Sequence, residues 1–268
     1  MSGVETVRGD VPLLLSMPHG GTDVPAELMA RLTDAGRSLI DTDWWIERVY
    51  DFAADLGASV VRTATSRVVI DVNRDPAGQS LYPGQATTGL CPLETFDGAP
   101  LYAPGDEPDA AEIAARQVAY FAPYHDALAG ELALLKAAHG YALLYDCHSI
   151  RSTIPRLFEG TLPVLNIGTS DGASCAPGLV GAVDDVCAGE AFSYVVDGRF
   201  KGGWITRRYG RPADGVHALQ MELAQRAYMD EAPPWTFDDA RAKPLKRLLR
   251  RVLEAMLAWG ADNFGRRP

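Results

Sequence analysis

The stretch LLLSMPHGG, residues 13–21, is a short apolar run that ends in a histidine, His19. A second stretch, LLYDCHS at residues 143–149, has the same design and carries His148 near its end. Short apolar runs of this kind predict buried strands, and open α/β sheets bind their ligands at the carboxyl ends of the strands. The two stretches therefore predict a sheet that aims two imidazoles at one point on its edge.

Two histidines at one sheet edge suggest a metal site, because imidazole is the commonest protein ligand for zinc. A catalytic zinc ion keeps about three protein ligands and one position for water, so one more ligand is needed. Asp41 or Asp43 can provide it, since both directly precede a predicted helix and only one is needed to cap it. We prefer Asp43 and keep Asp23, close to His19, as a further candidate. The alternative is that each histidine is simply a hydrogen-bonded residue at a strand end.

A hydrolytic metal site also needs a base that takes a proton from water and returns it to the leaving group. Glu222 is the candidate, since it lies near the end of the last apolar strand-like run, VHALQMEL at 216–223. A carboxylate flanked by Met221 and Leu223 is costly to bury unpaired, so it either pairs with an arginine or faces a polar site. We predict that it faces the site as the catalytic base.

Strand and helix patterns alternate along the chain, which predicts an α/β fold with a mostly parallel or mixed central sheet and helices on both faces. The predicted strands cover 13–17, 59–62, 67–71, 141–146, 163–167, 193–196 and 216–223. Helices are predicted over 44–56, ending at Gly57, over 109–138, kinked or divided at Pro123, and over 240–264, with one apolar and one basic face. Since no repeat or low-complexity linker divides the chain, we expect a single domain spanning 1–268.

The segment 76–108 is rich in Gly, Pro and Thr and has little periodicity, which predicts a long ordered loop. Loops of this length inside compact domains are often lids or binding loops, and an inert surface excursion is the alternative. The sequence does not indicate an oligomeric state.

Composition limits the class of protein. With 268 residues, of which 47% are hydrophobic and 22% charged, the chain has the make-up of an ordinary globular protein with a large core. No apolar stretch approaches the roughly 20 residues that span a bilayer, and the amino terminus lacks an export signal. We therefore expect a cytoplasmic protein with no membrane partner. The four cysteines form no Cys-x-x-Cys pair and are expected to be reduced.

The net charge of −10 argues against a nucleic-acid partner, and it repels a small anionic substrate unless arginines concentrate in the pocket. Arg67, Asn73 and Arg74 lie in SRVVIDVNRD at 66–75, and Arg207 and Arg208 lie in GWITRRYG at 203–210. Guanidinium groups bind carboxylates in a two-pronged geometry, so a pair of them suits a dicarboxylate or amino-acid-like substrate. Taken singly, each arginine is more often a surface or ion-pair residue.

Five motifs, in order along the chain, resemble those of the N-formylglutamate amidohydrolase (N-formylglutamate deformylase) family. They are SMPHGG at 16–21, DTDW at 41–44, SRVVIDVNRD at 66–75, DCHS at 146–149 and QMELAQR at 220–226. The similarity extends from about residue 13 to residue 231. Five motifs in the same order make the resemblance specific.

The resemblance implies a single-domain, three-layer αβα fold of the phosphorylase/hydrolase-like kind, similar to the zinc exopeptidases. Zinc-dependent carboxypeptidases and N-acetylmuramoyl-L-alanine amidases are the related enzymes. It further implies one Zn²⁺ ion, or another divalent metal, held by His19, Asp43 and His148, with Glu222 as the base. Because those relatives usually have glutamate as the middle ligand, Asp41 stays open beside Asp43.

The implied reaction is the hydrolysis of N-formyl-L-glutamate to formate and L-glutamate, a step of histidine degradation. Arg67, Asn73, Arg74 and Arg208 are the candidate contacts for the two substrate carboxylates. Formyl is the smallest acyl group, and steric rejection of one extra methyl is worth only roughly 1–3 kcal/mol. A deacylase of another N-acyl amino acid is therefore the nearest alternative.

Two other classes of function compete with this one. The motif GTSDG at 168–172 fits the Gly-x-Ser-x-Gly nucleophile elbow, so Ser170, Asp197 and His217 would form the triad of a serine hydrolase. Against it, the elbow should open a helix at once, whereas Pro177 falls within the second turn of any such helix. The third class is a non-catalytic metal-binding protein. Glu222 argues against that class, because a pure binding site has no use for a free base.

Overall fold

A seven-stranded mixed sheet runs through the part of the chain that the computed structural model describes, residues 3–79, 84 and 87–265. The strands are β1 (Val4–Val7), β2 (Leu13–Met17), β3 (Ser59–Thr63), β4 (Ala142–Ile150), β5 (Leu165–Gly168), β6 (Tyr194–Val196) and β7 (Val216–Ala224). Their order across the sheet is β1-β3-β2-β4-β7-β5-β6. Strands β3, β2, β4 and β7 run parallel, whereas β1 is antiparallel to β3 and β5 to β7. The predicted mixed α/β sheet is confirmed.

Helices connect these strands. They are α1 (Ala26–Arg31), α2 (Asp34–Arg37), α3 (Ile46–Val49), α4 (Ala110–Arg116), α5 (Ala122–His139), α6 (Pro177–Ala188), α7 (Trp204–Tyr209) and α8 (Asp239–Phe264). Short 3-10 turns occupy Asp51–Leu56, Pro212–Asp214 and Gln225–Ala227, and a π-helical turn, Gln117–Phe121, joins α4 to α5. Within the described residues, no helix is both long enough and apolar enough to cross a membrane.

The central strands are buried on both faces, and their alternate side chains enter two different apolar layers. Leu13 and Leu15 of β2 pack in one cluster with residues of α6 and α8, whereas Leu14 packs in another cluster with residues of α5. Every residue of β2 and β4 is buried. Burial on both faces explains why these strands are continuous apolar runs in the sequence. The result is the expected three-layer αβα arrangement.

The helix predicted over 44–56 is wrong in detail, because this segment forms α3 and a separate 3-10 turn. Trp45 adopts a left-handed φ of 61° directly before α3, and Tyr50, with φ −104° and ψ 22°, interrupts the helix between the two pieces. The predicted end is confirmed: Gly57 is left-handed, with φ 70°, and β3 follows at once.

The strand predicted over 67–71 is also wrong. The chain turns here, since the Val69 amide donates to the Ser66 carbonyl at 3.0 Å. Val68 and Ile70 are both buried and pack in two separate apolar clusters. The apolar run therefore reflects burial of a loop, a case that periodicity alone cannot distinguish from a strand.

The two long helical patterns are confirmed. Helix α4, the π-helical turn and α5 form the stretch predicted over 109–138. The π-helical turn ends at Phe121, two residues before Pro123, near the predicted division. Helix α8 buries the predicted apolar stripe against the sheet. Strand β1 was not predicted, because VETV is a largely exposed edge strand without an apolar run.

The loop predicted over 76–108 lies partly outside the described residues, at 80–83 and 85–86. Its described part contacts the carboxyl edge of the sheet. The Phe96 amide donates to Asp41 Oδ2 at 2.7 Å, and the Asp71 amide donates to the Leu90 carbonyl at 2.7 Å. A lid function for this loop remains a prediction.

Candidate metal centre and active-site cavity

Three buried side chains converge at the carboxyl ends of the central strands. His19 follows β2, His148 lies near the end of β4, and Asp43 lies in the turn before α3. One potential ligand atom from each lies within 4.8 Å of the other two. Asp43 Oδ2 is 3.8 Å from His19 Nδ1 and 3.2 Å from His148 Nδ1. The structure thus brings together the three residues that the sequence predicts as metal ligands.

Backbone contacts fix this arrangement. The Asp43 amide donates to the His19 carbonyl at 3.1 Å, and the Ser149 amide donates to Asp43 Oδ2 at 3.1 Å. The turn after His19 passes so close to β3 that a Cβ at Gly21 would collide with the Ala64 backbone. Only glycine fits at position 21, and it allows the turn after β2 to place His19 beside β3, the neighbouring strand in the sheet.

The outer nitrogens of both histidines face buried aspartates that sequence reasoning missed. His19 Nε2 lies 2.7 Å from Asp71 Oδ1, and His148 Nε2 lies 3.1 Å from Asp146 Oδ2. Metal-binding histidines commonly use their second nitrogen in this way, which fixes the orientation of the ring. A signal for Asp146 was present: it is two residues before His148 in a strand, so both side chains share one face.

These aspartates are themselves held by several partners. Asp146 Oδ1 accepts a hydrogen bond from Ser16 at 2.9 Å. Burial raises the pKa of Asp71, but the neighbouring charges of Arg74, His19 and Arg67 outweigh it and leave that pKa well below its usual value. Asp71 is therefore a buried anion that balances the cations around it.

The three-residue donor set fits a metal ion. His19 Nδ1 is buried and has no hydrogen-bond partner among the described residues, although a buried polar nitrogen normally has one. Both Nδ1 atoms face Asp43, while both Nε2 atoms face the outer aspartates. Two imidazole nitrogens and one carboxylate oxygen are ligand types that zinc accepts.

The two histidines differ electrostatically. Burial, together with the charge of Arg67, lowers the pKa of His19 below its usual value. Burial would also lower the pKa of His148, but Asp146 and Asp43 raise it well above its usual value. Imidazole must be neutral at the nitrogen that binds a metal, so a cation at this site competes with the proton on His148.

Glu222 completes the site from the neighbouring strand. In the ladder between β4 and β7 it lies directly opposite His148. Its side chain lines the cavity, and the residue is only 8% exposed. Gln220 Nε2 donates a hydrogen bond to Glu222 Oε2 at 3.4 Å. Burial raises the pKa of Glu222 to about 8. The prediction that this carboxyl group faces a polar site rather than an arginine partner agrees with these contacts.

A cavity of about 200 Å³ opens beside these residues. Arg67, Asn73 and Arg74 line it, as the sequence predicts for substrate contacts. Arg67 donates to Asp71 Oδ2 at 2.7 Å, and Arg74 donates to Thr88 Oγ1 at 3.0 Å. The cavity wall also contains Arg199, which the sequence reasoning did not select.

Asn73 links the cavity to the histidines. Its Oδ1 accepts from the Ile205 amide at 2.8 Å, which turns Nδ2 toward His148 Nε2 at 2.9 Å. A Cβ at Gly203 would collide with the Asn73 amide group. Only glycine therefore lets the chain before α7 pass close enough to hold Asn73 in place.

Three other sequence candidates lie outside the site. Arg208 is exposed on the outer face of α7, whose buried residues are Ile205 and Thr206, and it does not line the cavity. Asp41 is held by the Phe96 amide and by Arg151, at 2.7 and 3.3 Å, so it does not join the histidines. Asp23 is exposed.

The serine-hydrolase triad is not assembled. Asp197 accepts hydrogen bonds from Thr169, and His217 Nδ1 accepts from the Ala176 amide at 3.1 Å. Among the described residues, His217 Nε2 has no hydrogen-bond partner, so it does not activate Ser170. The following helix, α6, begins only at Pro177, as the sequence argument against a nucleophile elbow expects.

At the carboxyl edge of this α/β sheet, two histidines and an aspartate lie beside a buried glutamate and an arginine-lined cavity. This arrangement is typical of a hydrolase with a metal centre. Residues 11–229 match the family of N-formylglutamate amidohydrolases, and the chain belongs to this family. The resemblance seen in the five motifs is thus confirmed.

Individual relatives cover almost the whole chain. It is 50% identical over 258 residues to N-formylglutamate deformylase of Pseudomonas aeruginosa, covering 96% of this chain and 97% of that protein. It is 49% identical over 260 residues to N-formylglutamate deformylase of Pseudomonas putida, covering 97% of each. The crystal structure of N-formylglutamate amidohydrolase from Ralstonia eutropha JMP134 is similar with a TM-score of 0.79 and 25% identity, over 98% of both chains.

Proposed function

We propose that the protein hydrolyses N-formyl-L-glutamate to formate and L-glutamate, using a divalent metal ion, with zinc as the best candidate. The observation that carries the proposal is the convergence of His19, Asp43 and His148 beside Glu222 at one cavity. Two relatives that share about half of the residues are named N-formylglutamate deformylase, which supports the choice of substrate. The substrate is a small anionic amino-acid derivative.

His19, Asp43 and His148 are the proposed metal ligands. The contacts of their outer nitrogens with Asp71 and Asp146 hold the rings so that both Nδ1 atoms face the Asp43 carboxylate. When bound, the ion supplies a Lewis acid that polarises the formyl carbonyl, lowers the pKa of water and favours the ionised form of Glu222.

Glu222 is the proposed general base. It accepts a proton from the attacking water and returns it to the nitrogen of the departing glutamate. Its burial keeps the carboxyl group away from bulk water and raises its pKa to about 8. This value describes the site without a metal ion; a bound cation lowers the pKa and so favours the carboxylate form that accepts the proton.

Arg67, Asn73 and Arg74 are the proposed contacts for the substrate carboxylate nearest the reacting amide. Arg67 is fixed by Asp71, and Arg74 is fixed by Thr88, so both guanidinium groups are held in place before substrate arrives. Groups that are already oriented lose little entropy on binding. Their positive charge also offsets the net charge of −10, which repels an anionic substrate.

Hydrolysis rates across several N-acyl amino acids, measured by the free amino acid released, test the proposal, together with metal analysis of the purified protein. We expect one divalent metal per chain, loss of activity after chelation, recovery with added zinc, and N-formyl-L-glutamate as the preferred substrate. Faster turnover of N-acetyl-L-glutamate would assign the site to another N-acyl amino acid. Full activity after exhaustive chelation would remove the metal from the reaction.

A further inference from the structure

One wall of the cavity is apolar and begins next to the donor set. Phe96, Ile150, Leu157 and Phe200 line it, and they belong to one apolar cluster. Ile150 is the last residue of β4, two positions after His148, so the wall starts on the same face of the strand as that histidine. An apolar wall in this place suits the methylene groups of a substrate side chain.

Arg199 lies against this wall. It belongs to the loop between β6 and α7, and it lines the cavity. Its Nε donates to the Leu157 carbonyl at 2.7 Å, and its guanidinium carbon lies 5.2 Å from the centre of the Phe200 ring. Both contacts hold the guanidinium group next to the apolar residues.

Arg67 and Arg74 also line the cavity, and both lie beside aspartates of the candidate metal centre. Arg67 lies 2.7 Å from Asp71 and 3.7 Å from Asp43, and Arg74 lies 3.5 Å from Asp71. Both therefore belong to the charged group around the donor set. Arg199 lies on the apolar wall, where its contacts include the Leu157 carbonyl and the Phe200 ring.

We propose that Arg199 determines the specificity for an acidic substrate side chain by binding the carboxylate that is distant from the scissile amide. The inference rests on the proposed function and deepens it. N-Formyl-L-glutamate carries one carboxylate beside the amide and a second one beyond two methylene groups. The carboxylate beside the amide suits Arg74 and Asn73, and the methylene groups suit the apolar wall of Leu157 and Phe200. The distal carboxylate suits the planar guanidinium group of Arg199, which binds carboxylates in a two-pronged geometry.

Steady-state kinetics of Arg199→Gln, with N-formyl-L-glutamate and N-formyl-L-glutamine as substrates, tests this assignment. The distal carboxylate lies away from the bond that is broken, so we expect its loss to act mainly on KM. We expect KM for N-formyl-L-glutamate to rise about 30-fold with kcat nearly unchanged, since a hydrogen-bonded charge pair is lost. With the neutral N-formyl-L-glutamine the variant and the wild type should differ less than about threefold.

Arg251→Gln is the matched control, because Arg251 of α8 pairs on the surface with Glu190, which follows α6, and neither residue lines the cavity. It should keep wild-type kinetics. Arg199→Lys retains the charge but not the two-pronged geometry, and it should restore part of the preference for N-formyl-L-glutamate. Thermal unfolding of each variant shows whether it is folded.

Three outcomes overturn the assignment and leave the proposed function intact. The first is an equal loss with both substrates in Arg199→Gln, and the second is an unchanged KM for N-formyl-L-glutamate. The third needs no variant: a wild-type protein that prefers N-formyl-L-glutamate over N-formyl-L-glutamine by less than about tenfold has no distal carboxylate site of this strength. A wild-type protein that releases no formate from N-formyl-L-glutamate refutes the proposed function itself, and the assignment with it.

Discussion

The carboxyl edge of the sheet and the layer formed by α6 and α8 contact the same central strands, but they are built from opposite kinds of residue. The edge buries charged and titratable groups, namely His19, Asp43, Arg67, Asp71, Asp146, His148 and Glu222. The helical layer buries leucines, valines and methionine against the sheet. Burying charges opposes stability, whereas burying apolar side chains favours it. The chain therefore keeps one region for chemistry and relies on the other for its fold.

Glu222→Gln should separate the two regions most sharply. We expect kcat/KM to fall by up to about 10⁴-fold, because an amide cannot act as a base. Metal content should stay at the wild-type level. Formate release and metal analysis of the purified variant measure both quantities, and turnover within tenfold of the wild type would exclude Glu222 from the mechanism.

The same variant should be more stable than the wild type at high pH once the metal has been removed. Because the folded pKa of Glu222, about 8, is above its usual 4.5, the carboxyl group stabilises the fold below pH 4.5. That stability is lost as the pH rises toward 8, and glutamine has no such loss. Urea unfolding of chelator-treated protein at pH 5 and pH 8 tests this, and equal pH dependence of both proteins would contradict it.

Leu249→Ala should give the reverse pattern. Leu249 is fully buried in the cluster between α8 and the sheet. Its truncation should lower the free energy of unfolding by about 2–5 kcal/mol while kcat/KM of the folded protein stays unchanged. The control is Leu134→Ala on α5, where the side chain is 49% exposed and the expected change is below about 0.5 kcal/mol. Equal effects of both substitutions in denaturant unfolding would refute this view of the core.

Asp146→Asn tests whether the aspartate beside His148 Nε2 strengthens metal binding by the candidate ligands. The change keeps the shape of the side chain and its contact with Ser16, but it removes the negative charge beside His148 Nε2. We expect zinc affinity to fall about 10- to 100-fold, with activity restored by excess zinc. Ser16→Ala, which removes hydrogen bonds to Asp146 and Tyr124 but no charge, should have a smaller effect. Competition with a metal-binding dye measures the affinity, and unchanged zinc affinity in Asp146→Asn would show that Asp146 is only structural.

The smallest expected effect is on the free energy of unfolding, and it comes from His217, a histidine that packs against α8 on the apolar side of the sheet. It packs against Trp259, and burial lowers its pKa. A lowered histidine pKa contributes stability that is present above the unfolded pKa of about 6.5 and is lost as the pH falls below it. The free energy of unfolding of His217→Gln should therefore depend less on pH between 7 and 5 than that of the wild type. Identical pH profiles would show that His217 does not contribute.

Much of the fold could be predicted because the central strands are buried on both faces. LLLSM and ALLYD form continuous apolar runs that mark β2 and β4 directly. The same rule failed at 67–71, where the apolar residues are buried in a turn and not in a strand. Burial leaves its pattern in the sequence, but it does not specify which backbone conformation produces the burial.

The site follows a similar division. His19, His148 and Glu222 were found because each ends, or nearly ends, an apolar run. Asp71 and Arg199 were missed as candidates, since both lie in loops and reach the site only through the tertiary fold. Arg208 was selected for its residue type, but its position on the outer face of α7 cannot be read from a six-residue helix. The conformation of such loops depends on the tertiary fold and cannot be predicted from the local sequence.

The pairing of His148 with Glu222 across two adjacent strands limits how this scaffold can be redesigned. Neighbouring strands lie about 4.8 Å apart, and a shift of one residue turns every side chain of a strand to the opposite face. The distance between the proposed ligand and the proposed base therefore cannot be adjusted in small steps. An engineer who wants a larger acyl group accepted has to rebuild the surrounding loops and leave β4 and β7 untouched.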